Sequence, residues 1–419
     1  MTTLGRPLRI ALFAEAVTLA HVARPIALAR AIAPAGHQLL LACDARYAAF
    51  AADGPWQHED IRSIPSAQFN EALARGTPVY DFDTLESYVA EDLRLIQAFK
   101  PDLVVGDFRL SLSVSARLAG VPYMAITNAY WTPQYEGGYK LPVIPLSRAL
   151  PLPLAAALFH TFRPLAFIPH CQPMNRLRSH HKLASLGYNL RRVYTDSDHL
   201  LIPDLAPLYP LAGPGNTHSY IGPLMWSPAI QLPDWWAESI SEELGSVYVT
   251  LGSSGNVSLL PLILEALKDL PARVLASTAG AAAPSKTPEN SRLASYLPGD
   301  AATQRSRLII CNGGSLSTQQ ALAAGIPILA VASNMDQFLN MAPIEAAGAG
   351  ITLRTDRLSV AAVRQAAATL LRSEAATLAA RKLKLLFEAP NGVGAAFDEA
   401  AARLLASRSE RPSADQEAP

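Results

Sequence analysis

Three places in this sequence hold side chains whose types could do chemistry: His21, Asp107 and the run Asn312-Gly313-Gly314-Ser315. The last is the most specific. Residues 308–311 are a short apolar run of the kind that forms a buried parallel strand. The two glycines after it let the backbone turn sharply and approach a ligand closely. Residues 317–324 are good helix formers, and Gly325 stops them. A strand, a Gly-Gly-Ser turn and a fresh helix N-terminus aim free N–H groups and a positive dipole end at one place, which suits a phosphate. Pro327 opens a second strand at 328–331. Asn334-Met335-Asp336-Gln337 follows at its carboxyl end, where open α/β sheets bind ligands. An ordinary βαβ unit would share the turn glycines, but not a polar loop of this composition.

The elements that must position the other two residues come earlier. Residues 8–14 read as a first strand, 15–20 as a loop, and the run from His21 through 32 as a helix that Gly36 ends. Residues 38–42 complete a β-loop-α-β unit. His21 thus stands at the mouth of a sheet, where an imidazole can take a proton near neutral pH or merely cap a helix. Glu15 shares its loop and is a rival base. A further strand, 100–107, ends on Asp107, with a helix expected at 108–118 and a strand at 123–127. Asp107 faces the same mouth if the two strands share a sheet. Helix capping is the other common use of an Asp there, and the residues alone leave both uses open.

The stretch 308–341 resembles the donor-binding signature of family 1 glycosyltransferases, the UDP-glycosyltransferase superfamily. The likeness lies in Gly313-Gly314, Ser317, Ala321-Leu322, Gly325-Ile326-Pro327 and Asp336-Gln337 at the expected spacing. His21-Val22 with Pro25 looks like the loop in which that family carries its catalytic histidine. Here Ala20 replaces the usual glycine, and one extra residue precedes the proline. Asp107 matches the acid that holds the histidine.

The resemblance implies an α/β, GT-B fold: two Rossmann-like domains facing across a central cleft. It implies an inverting, metal-independent transfer of a sugar from a nucleotide sugar to a hydroxyl of an apolar or aromatic small molecule. No cofactor is needed beyond the nucleotide-sugar co-substrate. His21 would deprotonate the acceptor, and Asp107 would fix its tautomer and stabilise the imidazolium. Tyr296 would stack on the nucleobase. Ser253 (in the turn Gly252-Ser253-Ser254-Gly255), Asn312, Gly313, Gly314, Ser315 and Ser317 would hold the diphosphate through side chains and backbone N–H groups. Gln320 would meet the ribose, and Asp336 and Gln337 the sugar hydroxyls. Asn312 stands where many members have a histidine, and Gln320 where many have a glutamate. These departures leave UDP, the first expectation, open against dTDP or another nucleotide. Two other readings share the fold: a nucleotide-sugar epimerase, and a non-catalytic partner of a transferase. A plain dinucleotide-binding protein would need a Gly-x-Gly-x-x-Gly turn after the first strand, which is missing.

At 419 residues the chain is too long for one core. The expected division is an acceptor-binding domain at 1–222, a linker at 223–243 placed by the Pro- and Gly-rich run 203–233, and a donor-binding domain at 244–388. A helix at 389–406 would pack back on the first domain, ahead of a disordered tail at 407–419. Lys+Arg and Asp+Glu are both 35, so the net charge is zero, which argues against a nucleic-acid partner. Cys43, Cys171 and Cys311 are scattered, with no disulfide framework and no metal-ligand spacing, and a cytoplasmic location is expected. Neither a signal peptide nor an uninterrupted apolar run of about 18 residues is evident. The expected assembly is a monomer or weak homodimer.

Between the two domains' motifs lies an unusual stretch. Tyr130, Trp131, Tyr135 and Tyr139 precede residues 141–169, which are rich in Pro, Leu, Ala and Phe. This composition fits the wall of an apolar ligand pocket or a helical hairpin packed on the sheet. Contact with a membrane surface is a weaker option, because the prolines should break any continuous amphipathic helix. Residues 174–190 read as a basic, solvated helix. His180 and His181 should point apart on it and so not share a metal.

Overall fold

The protein is described by a computed structural model covering residues 4–51, 53–213, 215–237, 245–252, 255–280, 282–387 and 392–409. Its first sheet contains β1 (Arg9–Ala14), β2 (Gln38–Cys43), β3 (Gln57–Asp60), β4 (Leu103–Asp107), β5 (Tyr123–Ile126), β6 (His199–Ile202) and β7 (His218–Tyr220). Their spatial order is β3-β2-β1-β4-β5-β6-β7. The second sheet contains β8 (Ser246–Thr250), β9 (Arg273–Ser277), β10 (Ser291–Ala294), β11 (Ser306–Cys311), β12 (Ile328–Ala332) and β13 (Gly350–Arg354). It runs β10-β9-β8-β11-β12-β13. The strands within each sheet are parallel. Helices cover both faces, so central strands are buried at nearly every position and read as unbroken apolar runs.

Each sheet reverses its strand order once, between β1 and β4 and between β8 and β11. A crevice opens beyond the carboxyl ends at such a point. In the first sheet it is framed by Ala14 paired with Asp107, and in the second by Thr250 paired with Cys311. His21 and Asp107 therefore share one mouth, and the Asn312 turn lies at the other.

The helix Val393–Ser409 returns to the first sheet, where Phe397, Ala400, Ala401 and Leu404 enter the same core as Ile26 and Leu28. Its approach to the helix Leu19–Ile32 is so close that a Cβ at Gly394 would stand 2.5 Å from the Ala31 carbonyl oxygen. The His37 imidazole pins the contact: its Nδ1 accepts from the Leu8 N–H at 3.0 Å, and its Nε2 lies 3.2 Å from Asp398. Ser407 to Ser409, expected in a disordered tail, continue this helix, and 410–419 lie outside the described residues. The two sheets are also tied directly. The Tyr209 hydroxyl donates to the Asn340 carbonyl at 2.7 Å, and the Val143 N–H donates to the Ser333 carbonyl at 2.7 Å.

The proline-rich stretch corrects an expectation. Helices Leu152–Ala166 and Ile168–His180 run end to end through Phe167, whose φ and ψ are helical. Pro153 and Pro169 sit in first turns, where a missing N–H costs nothing, and the helices absorb Pro164 and Pro173. By length and composition alone, 152–180 could cross a membrane, and only 17% of its most apolar stretch is buried. The basic helix expected over 174–190 stops at His180, before Lys182 turns to a φ of +57°.

Candidate active site

A cavity of about 840 Å³ lies between the sheets and takes walls from both. From the first sheet's side come apolar groups, including Phe69, Phe108, Phe159, Phe167 and Tyr194. From the second come polar ones, including Thr250, Asn312, Ser315, Ser317 and Asp336. His21 borders the same space.

The helix carrying His21 starts at Leu19, two residues earlier than expected, so His21 sits in its first turn. Its Nδ1 is 2.7 Å from Asp107 Oδ1. Phe108 stacks on the ring, with centroids 4.9 Å apart and planes 18° from parallel. This position has a structural cost, because Phe108 holds a φ of +56°, a conformation that strains a bulky residue. That turn also delays the next helix, expected from 108, to Leu112.

Asp107 is fully buried, and Arg24 accounts for its charge. Arg24 Nε donates to Asp107 Oδ2 at 2.7 Å, Nη2 donates to Oδ1 at 2.7 Å, and Nη1 donates to Asn128 Oδ1 at 2.7 Å. Burial opposes the guanidinium's charge, but the Asp107 carboxylate outweighs it and holds Arg24 above its usual range. Arg24 Nη2 also lies 2.9 Å from His21 Nδ1. A guanidinium only donates and a carboxylate only accepts. Bonded to Asp107, Nδ1 carries the proton and Nε2 keeps a free lone pair. Accepting from Arg24 instead, Nδ1 leaves the proton on Nε2. The site thus sets two tautomers in competition.

The network continues toward the other lobe. Asn128 Nδ2 donates to Asp204 at 2.8 Å, and the Ala129 N–H donates to the same carboxylate at 2.6 Å. Burial pushes the Asp204 carboxyl up to about 6. Gln319, from the helix Ser315–Ala324, donates to the neighbouring Pro203 carbonyl at 2.7 Å. Sequence reasoning missed Arg24, Asn128 and Asp204. A signal for Arg24 was present: it lies in the lengthened spacing between His21 and Pro25.

On the polar wall, Gly313 turns the chain at a φ of +83°. Its N–H donates to Cys311 Sγ and its carbonyl accepts from Asn340, so Gly313 faces away from the cavity and offers no amide to it. The Gly314 N–H donates to Asn312 Oδ1 at 3.0 Å. The amides of 315–317 open the helix under an N-cap with no side-chain bond, and so have no carbonyl one turn back. The backbone amides turned toward the cavity are therefore fewer than the sequence implied, and they start at Ser315.

The remaining expected residues divide. Tyr296 borders the cavity, 38% exposed, with its hydroxyl 3.3 Å from the Ala279 carbonyl. Gln320 also lines it, but its amide donates to the Trp226 carbonyl at 2.8 Å. Asp336 accepts from Trp131 Nε1 at 2.7 Å across the cleft. Gln337 is a correction: it is buried, and its Oε1 accepts from the Ser333 N–H and from the Asn334 N–H, the latter in a capping box that starts the helix Met335–Ala346. It has no access to a sugar. Glu15 is a second correction. It is fully buried, bonded by Arg109 at 3.0 Å and Tyr88 at 3.1 Å, and burial raises its carboxyl. Ser253 lies outside the described residues. Away from the cavity, Glu86, His180 and His181 hold ligand atoms within 4.8 Å of one another. The two histidines converge because His181 leaves helical geometry at a ψ of 18°.

The PGL/p-HBAD biosynthesis rhamnosyltransferase of Mycobacterium bovis (strain BCG / Pasteur 1173P2) is 48% identical over 381 residues, covering 90% of this chain and 84% of the relative. The chain is a family 1 glycosyltransferase. Residues 262–389 of the glycosyltransferase also match the family model described as Erythromycin biosynthesis protein CIII-like, C-terminal domain. Solved structures agree on its GT-B fold. The spinosyn forosaminyltransferase SpnP matches with a TM-score of 0.70 at 16% identity, over 96% of this chain and 100% of that one. The spinosyn rhamnosyltransferase SpnG complexed with thymidine diphosphate matches with a TM-score of 0.61 at 19% identity, over 96% and 100%.

Proposed function

We propose that this glycosyltransferase moves a sugar from a pyrimidine nucleoside diphosphate to a hydroxyl on an apolar or aromatic molecule, with inversion and without a metal. The observation that carries this reading is one cavity that takes a cluster of aromatic side chains from the first sheet's side and a helix start with hydroxyls from the second, with His21 on its border. An acceptor ring would bury against Phe69, Phe108 and Tyr194. The donor diphosphate would meet the helix amides from Ser315 and the hydroxyls of Ser315 and Ser317, where negative charge is stabilised.

In the transfer step the acceptor oxygen forms a bond to the anomeric carbon. The bond from that carbon to the phosphate oxygen breaks, and its electron pair leaves with the nucleoside diphosphate. The acceptor proton passes to His21 Nε2, and Asp107 stabilises the resulting imidazolium through Nδ1–H. The one free oxygen of Asp336 can accept from a sugar hydroxyl, since Trp131 occupies the other. The relative named as a rhamnosyltransferase makes a deoxyhexose the first donor sugar to try, and the SpnG complex supports thymidine beside uridine as the base.

The test is His21→Ala. It is expected to lower turnover by roughly 10²–10⁴-fold, while calorimetry with a nucleoside diphosphate shows unchanged affinity. Wild-type turnover in that variant would remove the histidine from the chemistry.

A further inference from the structure

Residues 137–195 contain no Asp or Glu but eight Lys and Arg, in a chain whose charges balance only when this segment is counted. Two of these arginines serve the interior: Arg178 donates to Asp196, and Arg191 to the carbonyls of Tyr135 and Gly137. Lys140, Arg148, Arg176, Lys182 and Arg192 are exposed. In the middle of this cationic segment lies the helix Leu152–Ala166. Its outward face presents Leu154, Phe162 and Leu165, which are 49%, 55% and 64% exposed. Pro153, Ala157 and Pro164 are exposed beside them.

An exposed apolar helix face within a segment whose only charged side chains are Lys and Arg suits an interfacial membrane contact. The helix cannot span a bilayer without unpacking, because Ala155 and Phe159 are buried on its inner side beside Leu141. Two copies meeting on this face would bring two segments of like charge together, whereas an anionic surface would pair with one. The same helix closes the catalytic space: Phe162, Arg163 and Ala166 line the cavity. The apolar end of the cavity therefore lies directly behind the exposed face.

We propose that the helix Leu152–Ala166 docks on an anionic lipid bilayer, lying in the plane of its surface with Leu154 and Leu165 entering the acyl boundary. Docking would open the acceptor end of the cavity toward the membrane. The inference borrows from the proposed reaction only the name of that end. Its readout is vesicle binding, so its failure and that of the reaction are separable.

The full chain is tested by co-sedimentation with phosphatidylcholine vesicles, with or without phosphatidylglycerol. Binding is expected to be at least about tenfold stronger with the anionic lipid and to fall at roughly 0.5 M salt. Leu154→Gln with Leu165→Gln, neither lining the cavity, is expected to lose at least about fivefold of that binding while keeping its turnover on a water-dispersed acceptor. Hydrogen exchange of the wild-type chain supplies a readout independent of the variant's folding, with protection by anionic vesicles expected over 152–166. Three results would overturn the proposal: no preference for anionic vesicles, equal binding by the double variant, or a wild-type dimer that this variant dissociates.

Discussion

At the candidate base, the group that changes the chemistry is Arg24. It gives Asp107 two charge-assisted hydrogen bonds and competes with it for His21 Nδ1. Both charges are buried, so removing one partner strands the other, which costs about 3–5 kcal/mol. Arg24→Met is expected to lower the unfolding free energy by that amount in a urea titration. Arg24→Met with Asp107→Leu removes both charges and is expected to recover most of the loss. Equal destabilisation in the single and double variants would show that the pair is not coupled. Side-chain type and position after a strand marked His21, Asp107 and Asn312 as candidates, and the family resemblance supplied their expected roles. Arg24 was not marked, because an arginine one turn into a helix has many solvated uses. Glu15 misled for a related reason: adjacency in a loop does not say which side of the backbone a carboxyl takes, and this one is held by Arg109.

The strand-turn-helix element at Gly313 and Gly314 separates two uses of glycine. At Gly313, φ is +83° and a Cβ would stand 3.1 Å from Met341 and 3.2 Å from Ala330. Gly313→Ala is expected to cost about 1–2 kcal/mol from the backbone alone, and to raise the donor KM by displacing the helix start. Gly314 has a φ of −73°, which any residue adopts, and borders the cavity. Gly314→Ala is expected to melt close to wild type and to raise only the donor KM. Matching melts for the two variants would rule out backbone strain as the reason for the first glycine. Elements of this kind, with a buried apolar strand followed by a glycine break, were read from the sequence nearly to the residue. The strands that escaped, β3, β7, β10 and β13, are the edges of the two sheets. An edge strand meets solvent on one side and can be built from Gln-His-Glu-Asp, as β3 is, without apolar patterning.

At the scale of the whole molecule, the two-sheet architecture followed from repeated β-turn-α signals, but the joint between the sheets did not. It is made by Tyr209, which meets Asn340, and by Gln319, which meets Pro203 and Asp204, with each partner more than a hundred positions away. Nothing local marks such contacts. Asp204 makes the joint measurable. Burial raises its carboxyl from an ordinary 3.8 to about 6, so the folded protein keeps this proton to a higher pH than the unfolded chain does. The stability tied to that proton is fully present below the unfolded value and is lost as pH rises through about 6. A shift of this size corresponds to about 3 kcal/mol. Urea titrations of the wild type and Asp204→Asn at several pH values between 4 and 7 would isolate it. The advantage of the wild type over the variant is expected to shrink by up to about 3 kcal/mol across that window, since the asparagine has no proton to lose. A difference that stays constant with pH would mean that Asp204 is already ionised in the folded protein at the acidic end. Its bonds to Asn128, Ala129 and Gln319 would then hold a charge at the joint rather than a neutral acid.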